Sequence, residues 1–162
     1  MITRLDYNRR ATSEVHVGSI TIGGSNPVRL QSMTNTSTLD TEASTEQCMR
    51  LAEAGAEVVR LTAQGVAHAR NLGNIRAALR ARGTDVPLVA DIHFNPAAAF
   101  AAAEEVEKVR INPGNFIDPG RVFKHLEYTD TEYAAELQRL RDKLVPLLEL
   151  CRSRGTALRI GV

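Results

Sequence analysis

The sequence predicts an α/β fold: an incomplete TIM-type (β/α)8 barrel, about five parallel strands and four helices preceded by an N-terminal β-hairpin. Three observations carry that prediction. β-rich and helix-periodic segments alternate from Val28 onward, the pattern of a parallel sheet with helices packed on it. Strand starts at Val28, Glu57 and Pro87 lie 29 and 30 residues apart, against roughly 31 per unit in a closed barrel of about 250 residues. The Gly-x-Gly-x-x-Gly turn that an open doubly wound sheet carries after its first strand does not occur.

The elements follow in order. After a polar lead-in, "VHVGSITIGG" shows two short β-rich runs joined by Gly18-Ser19, the signature of a two-residue hairpin. Residues 1–27 therefore form a lead-in and a hairpin closing the bottom of the barrel, and residues 28–162 form its N-terminal part. "PVRLQSM" reads as a strand and "TEASTEQCMRLAEAG" as a helix closed by Gly55. "EVVRLT" and "PLVADIH" are strands flanking the helix "AHARNLGNIRAALRARG", closed by Gly83. Asn95 with Pro96 opens the helix "NPAAAFAAAEEV", a strong initiation signal. "EKVRIN" is the next strand, and a long connection from Pro113 to Tyr128 follows it. Thr129 and Glu132 have capping-box spacing. They open a helix whose Tyr133, Leu137, Leu140, Leu144, Leu148 and Cys151 form one apolar stripe. Pro146 is expected to kink that helix, Gly155 closes it, and "ALRIGV" is the fifth strand of the series.

Bulk properties exclude several classes. The 162 residues suffice for one domain with a real core. Lys plus Arg is 20 and Asp plus Glu is 19, a net charge of +1, without the basic excess of a nucleic-acid or membrane-surface protein. No apolar run approaches the roughly 18 residues of a spanning helix, and the start has no signal-peptide core, so the chain reads as cytoplasmic. Cys48 and Cys151 stand 103 positions apart in helix-like surroundings. They have no metal-ligand spacing, and no metal site is expected in this chain. An apolar parallel strand at an open edge exposes a row of backbone donors and acceptors. Self-association into a homo-oligomer through the open barrel edges is therefore expected.

The strands are apolar first and polar last. Arg60 and Thr62, Asp91 and His93, and Arg110 and Asn112 are pairs two residues apart, so each pair projects to one side. Gln31 ends the first strand and Arg159 lies in the fifth. In a barrel these side chains converge on the C-terminal mouth, where the active sites of this fold are built. Three guanidiniums and one carboxylate there leave an excess of positive charge that an anion would relieve. Arginine's planar fork matches phosphate oxygens two at a time, so a phosphate or diphosphate is the expected guest. The Asn112–Asn115 turn would add backbone donors in a concave nest. Any one arginine alone reads equally well as half of a surface ion pair, and His93 alone as a core histidine. Its pairing with Asp91 on one face points to acid–base or substrate-orienting work.

The stretches "LQSMTNTSTLDT", "AGAEVVRLT", "VADIHFNP" and "KVRINPGNF" together resemble the 4-hydroxy-3-methylbut-2-enyl diphosphate synthase family of the non-mevalonate isoprenoid pathway. The resemblance covers nearly the whole chain from Arg9 onward, and "TAQGV" with "YTDTEYAAEL" is similar to the longer, three-domain form. It implies an oxidoreductase that opens the ring of 2-C-methyl-D-erythritol 2,4-cyclodiphosphate reductively, with loss of water. It also implies a C-terminal domain carrying a [4Fe-4S] cluster, held by three cysteines and a glutamate, with ferredoxin or flavodoxin as electron donor. On this resemblance Arg60, Arg110, Arg159 and Asn112 bind the substrate's diphosphate, and Asp91 and His93 belong to the catalytic pocket. The cluster's cysteines are not in this chain, so it holds no cofactor and is expected to be inactive alone. Two other readings fit the residues: a pterin-binding barrel like dihydropteroate synthase, and a non-catalytic phosphate-binding or assembly module.

Overall fold

The computed structural model describes residues 10–117 and 128–161. The lead-in before residue 10, residues 118–127 of the expected connection, and Val162 lie outside them. Strands β1 (Val15–Val17) and β2 (Ile20–Ile22) pair antiparallel. Gly18 supplies the positive φ of 56° that their two-residue turn needs. A Cβ on Gly18 would stand 2.9 Å from Glu107 Cγ and 3.4 Å from Pro87 Cγ. The turn thus lies against the residues that lead into two strands of the main sheet.

That sheet holds β3 (Gln31–Met33), β4 (Val58–Ala63), β5 (Leu88–Ile92), β6 (Lys108–Ile111) and β7 (Ala157–Ile160), all parallel. Its strand order is the sequence order. A doubly wound sheet reverses direction partway; an unbroken order means that every crossover runs the same way, as in a segment of a (β/α) barrel. The crossovers are helices α1 (Thr41–Glu53), α2 (Val66–Ala81), α3 (Pro96–Ala103), the short α4 (Pro113–Ile117) and α5 (Asp130–Arg154). No described helix is long and apolar enough to cross a membrane.

Strand alternation divides the sheet into two faces. Val59, Leu61, Ala63, Leu88, Ala90, Ile92, Val109 and Ile111 face the helices and are buried with Leu72, Ile75, Leu79, Ala98, Ala102 and Leu147. The opposite face carries the polar strand residues. Helix starts are fixed by side chains: Ala43 N–H donates to Asp40 and Ala98 N–H to Asn95, at 3.0 and 3.2 Å. Thr129 and Glu132 form the expected capping box.

Three expectations need correction. The first barrel strand begins at Gln31 rather than Val28. Val28 follows Pro27, is 80% exposed, and makes no ladder bond; pairing starts where Leu30 O accepts from Glu57 and Val58 N–H. The connection after β6 opens as a helical turn, α4. The apolar stripe of α5 is rotated: Tyr133, Leu137 and Leu148 are exposed, while Leu147 and Cys151 are buried. The helix runs through Pro146 as one element.

Candidate functional site

The parallel register sets Thr62, Asp91, Arg110 and Arg159 side by side on four neighbouring strands. One layer toward the strand starts lie Met33, Arg60, Val89, Lys108 and Ala157, also in register. Residues paired in register point the same way, and two steps along a strand return to the same face. Both layers therefore look out from the face opposite the helices. Arg60, Lys108, Arg110 and Arg159 stand there against a single carboxylate, Asp91, among the described strand residues of that face.

Asp91 is the hub. Its side chain is 4% exposed and accepts from Arg60 Nη2 at Oδ2 and from Arg110 Nη1 at Oδ1, the latter at 3.3 Å. His93 Nε2 lies 3.2 Å from Oδ2. Burial works to raise the Asp91 carboxyl, but hydrogen bonds and charges from Arg60 and His93 outweigh it and hold the pKa below the ordinary carboxylate value. Sharing one carboxylate leaves the arginines undersatisfied. Arg60 Nε is buried without an acceptor, a donor that such sites normally pair.

His93 Nε2 also meets Arg110 Nη1 at 2.8 Å. The guanidinium can only donate, so Nε2 must accept there, and a carboxylate can only accept, so Nε2 must donate toward Asp91. One nitrogen cannot do both. The two contacts are therefore alternatives for this one nitrogen. The His93 side chain is 40% exposed.

Gly161 makes room for this arrangement. Its N–H continues the ladder to Ile111 O at 2.8 Å, and a Cβ there would lie 2.3 Å from Arg110 Nε. The loop between β3 and α1 is held in place as well. Thr34 N–H donates to Arg60 O at 3.0 Å, and Asn35 and Thr36 N–H both donate to Gln47 Oε1.

The structure thus brings Arg60, Asp91, His93 and Arg110 into contact. Arg159 lies beside Arg110 in register, is exposed, and has no carboxylate partner among the described residues. The amide oxygen of Asn112 accepts from Gly114 N–H at 3.0 Å. The side chain caps α4 locally, and the expected open nest of backbone donors is a helical turn instead. Lys108 escaped the sequence reading, although it shares parity with Arg110. Burial first, then the charges of Arg159 and Arg60, push its ammonium pKa down.

Among the described residues no group of three His, Cys, Asp or Glu side chains is placed to hold a metal ion. Cys48 in α1 and Cys151 in α5 are buried. Burial pushes the Cys48 thiol up to about 11 and raises that of Cys151 too. These residues do not fit an iron–sulfur cluster.

A model of the GcpE TIM-barrel domain matches residues 12–162. Curated 4-hydroxy-3-methylbut-2-en-1-yl diphosphate synthases (flavodoxin) are similar along almost the full chain. Those of Bacteroides fragilis and Parabacteroides distasonis are 61% and 60% identical over 97% of it, and that of Akkermansia muciniphila 56% over 96%. The chain covers 25%, 26% and 26% of these relatives, so it spans about a quarter of their length. Among solved structures, the dihydropteroate synthase of Burkholderia cenocepacia aligns with a TM-score of 0.46 at 15% identity, over 92% of this chain and 63% of that one.

Proposed function

The chain belongs to the GcpE TIM-barrel domain family, and from that premise we propose that its polar sheet face holds the diphosphate of 2-C-methyl-D-erythritol 2,4-cyclodiphosphate. The longer protein would convert this substrate to 4-hydroxy-3-methylbut-2-enyl diphosphate, in isoprenoid biosynthesis. The observation that carries the reading is the charge on one face: Arg60, Lys108, Arg110 and Arg159 against Asp91. Such a cluster is costly to desolvate and is relieved by a dianion.

Each residue then has a role. Arg110 and Arg60, oriented by Asp91, and Arg159 donate to phosphate oxygens in pairs. Asp91 is a positioning residue, since its carboxyl is occupied by its neighbours. His93 holds or passes a proton at Nε2 beside Arg110. Asn112, whose oxygen fixes the turn after β6, would bind the substrate through its amide N–H donors. The reduction requires a [4Fe-4S] cluster, which the residues here do not fit, and ferredoxin or the flavodoxin named for the relatives would supply the electrons. No step is assigned to either on this chain. The open edges of β3 and β7 would also pair in a homo-oligomer of this chain.

Titration calorimetry with inorganic pyrophosphate and the cyclodiphosphate tests the reading. Arg110→Ala should weaken both by about 2 kcal/mol or more, as for a charge pair taken out of water. An effect near zero, or tighter binding of a pterin than of either diphosphate, would overturn it.

A further inference from the structure

Gly161 is buried at the end of β7, and its backbone does not call for a glycine. Gly18, Gly23, Gly24, Gly55, Gly83 and Gly155 carry the positive φ values that favour this residue, and Gly161 does not. Its N–H extends the ladder to Ile111 O at 2.8 Å, a setting in which glycine weakens a strand and often marks the close approach of a ligand. What the glycine supplies is space. A Cβ there would overlap Arg110 Nε and lie 2.8 Å from Nη2 and 2.9 Å from Cζ.

One particular edge of Arg110 faces that space, because Nε and Nη2 are both nearer to it than Cζ is. Asp91 and His93 are met by Nη1, the nitrogen outside that edge. Nε and Nη2 have no acceptor among the described residues. Their N–H groups form the parallel fork that takes two oxygens of one phosphate. Arg159 precedes Gly161 by two residues on the same strand, and so lies on the same face. An oxyanion above the Gly161 Cα would meet the free edge of Arg110, with Arg159 alongside. Any side chain at position 161 would fill that place.

Resting on the anion reading above, we propose that Gly161 is a positioning residue: its bare Cα is the floor of the phosphate subsite and keeps the Nε–Nη2 edge of Arg110 open to the anion. Inorganic pyrophosphate is titrated calorimetrically into the parent, Gly161→Ala, Arg110→Ala and the double variant, and the thermal melting of each is followed. Alanine suits the Gly161 backbone, and the atoms it would meet end a flexible side chain. Gly161→Ala should therefore fold and melt near the parent, while pyrophosphate affinity falls about tenfold or more, the scale of a charged hydrogen bond lost. In the Arg110→Ala background the same substitution should change affinity by less than about twofold, because the edge it blocks is gone. Equal losses in both backgrounds, or an affinity unchanged by Gly161→Ala alone, would overturn the inference and leave the anion reading standing. So would a Gly161→Ala chain that fails to fold, since the glycine would then be structural. A parent that binds no pyrophosphate would overturn the anion reading itself, and this inference with it.

Discussion

At the scale of single residues, Asp91 sets the electrostatics of the site. Its carboxylate serves Arg60, His93 and Arg110 together, and the side chains of Arg60 and Arg110 are 22% and 16% exposed. Asp91→Asn strands two guanidiniums and should destabilise the chain by about 2–4 kcal/mol, toward the lower end for a broken buried pair because the arginines still reach water. Its folded pKa is depressed, so its contribution is whole above the unfolded value of about 3.9 and is lost as pH falls through the lower folded value. Urea denaturation of parent and variant should therefore show a gap at neutral pH that closes in acid. A gap unchanged from neutral pH to about pH 2.5 would mean that Asp91 acts through packing. Arg60, Asp91, His93 and Arg110 were legible in the sequence because the two-residue period of a strand fixes their side. Lys108 obeys the same period but was missed, since a lysine at the first position of a strand reads as a solvated start. The cap at Asn112-Pro113 repeats the Asn95-Pro96 pattern, yet the following Gly114 made it look like an open turn.

At the scale of elements, α5 shows where periodicity stops deciding. "VPLLELC" places Leu147 and Leu148 next to each other, about 100° apart around a helix. Either could lie on the core side of the same stripe. The structure selects Leu147, fully buried, and leaves Leu148 43% exposed. Leu147 and Cys151, with the half-buried Leu144, form the line that meets the core. Leu147→Ala should then cost about 2–4 kcal/mol, a cavity-forming loss, whereas Leu148→Ala should cost less than about 1. Chemical denaturation of the two variants checks this, and equal losses would mean that the helix sits in the rotation expected from sequence. The hairpin, the strand order and the capping box were readable beforehand because each depends on local chemistry: a positive-φ glycine, a unit length, a Thr–Glu pair. Helix rotation depends on the partner surface, which no local pattern records. The late start of β3 is similar, because it is set by where Glu57 and Val58 offer their N–H groups to Leu30.

At the scale of the whole molecule, the unbroken strand order puts every described helix crossover on one side and the charged residues on the other. Among the described residues β3 pairs only with β4, and β7 only with β6. Parallel strands owe their stability to cover on both faces and to neighbours on both edges. Here Met33 and Ile160, on the two edge strands, are 42% and 51% exposed. Repulsion among four cations opposes stacking of two such faces directly, so association through the edges is the route with less electrostatic cost. The 17.7 kDa chain is therefore expected to sediment as a dimer or larger species at micromolar concentration. Ile160→Lys, which places a charge on the β7 edge, should shift it toward the monomer, as edge lysines do in natural sheets. Added pyrophosphate, by neutralising the cationic face, should leave edge association intact. A parent that remains a clean monomer throughout the micromolar range would show that the edges do not pair. An oligomer that dissolves on adding pyrophosphate but ignores Ile160→Lys would place the contact on the charged face instead.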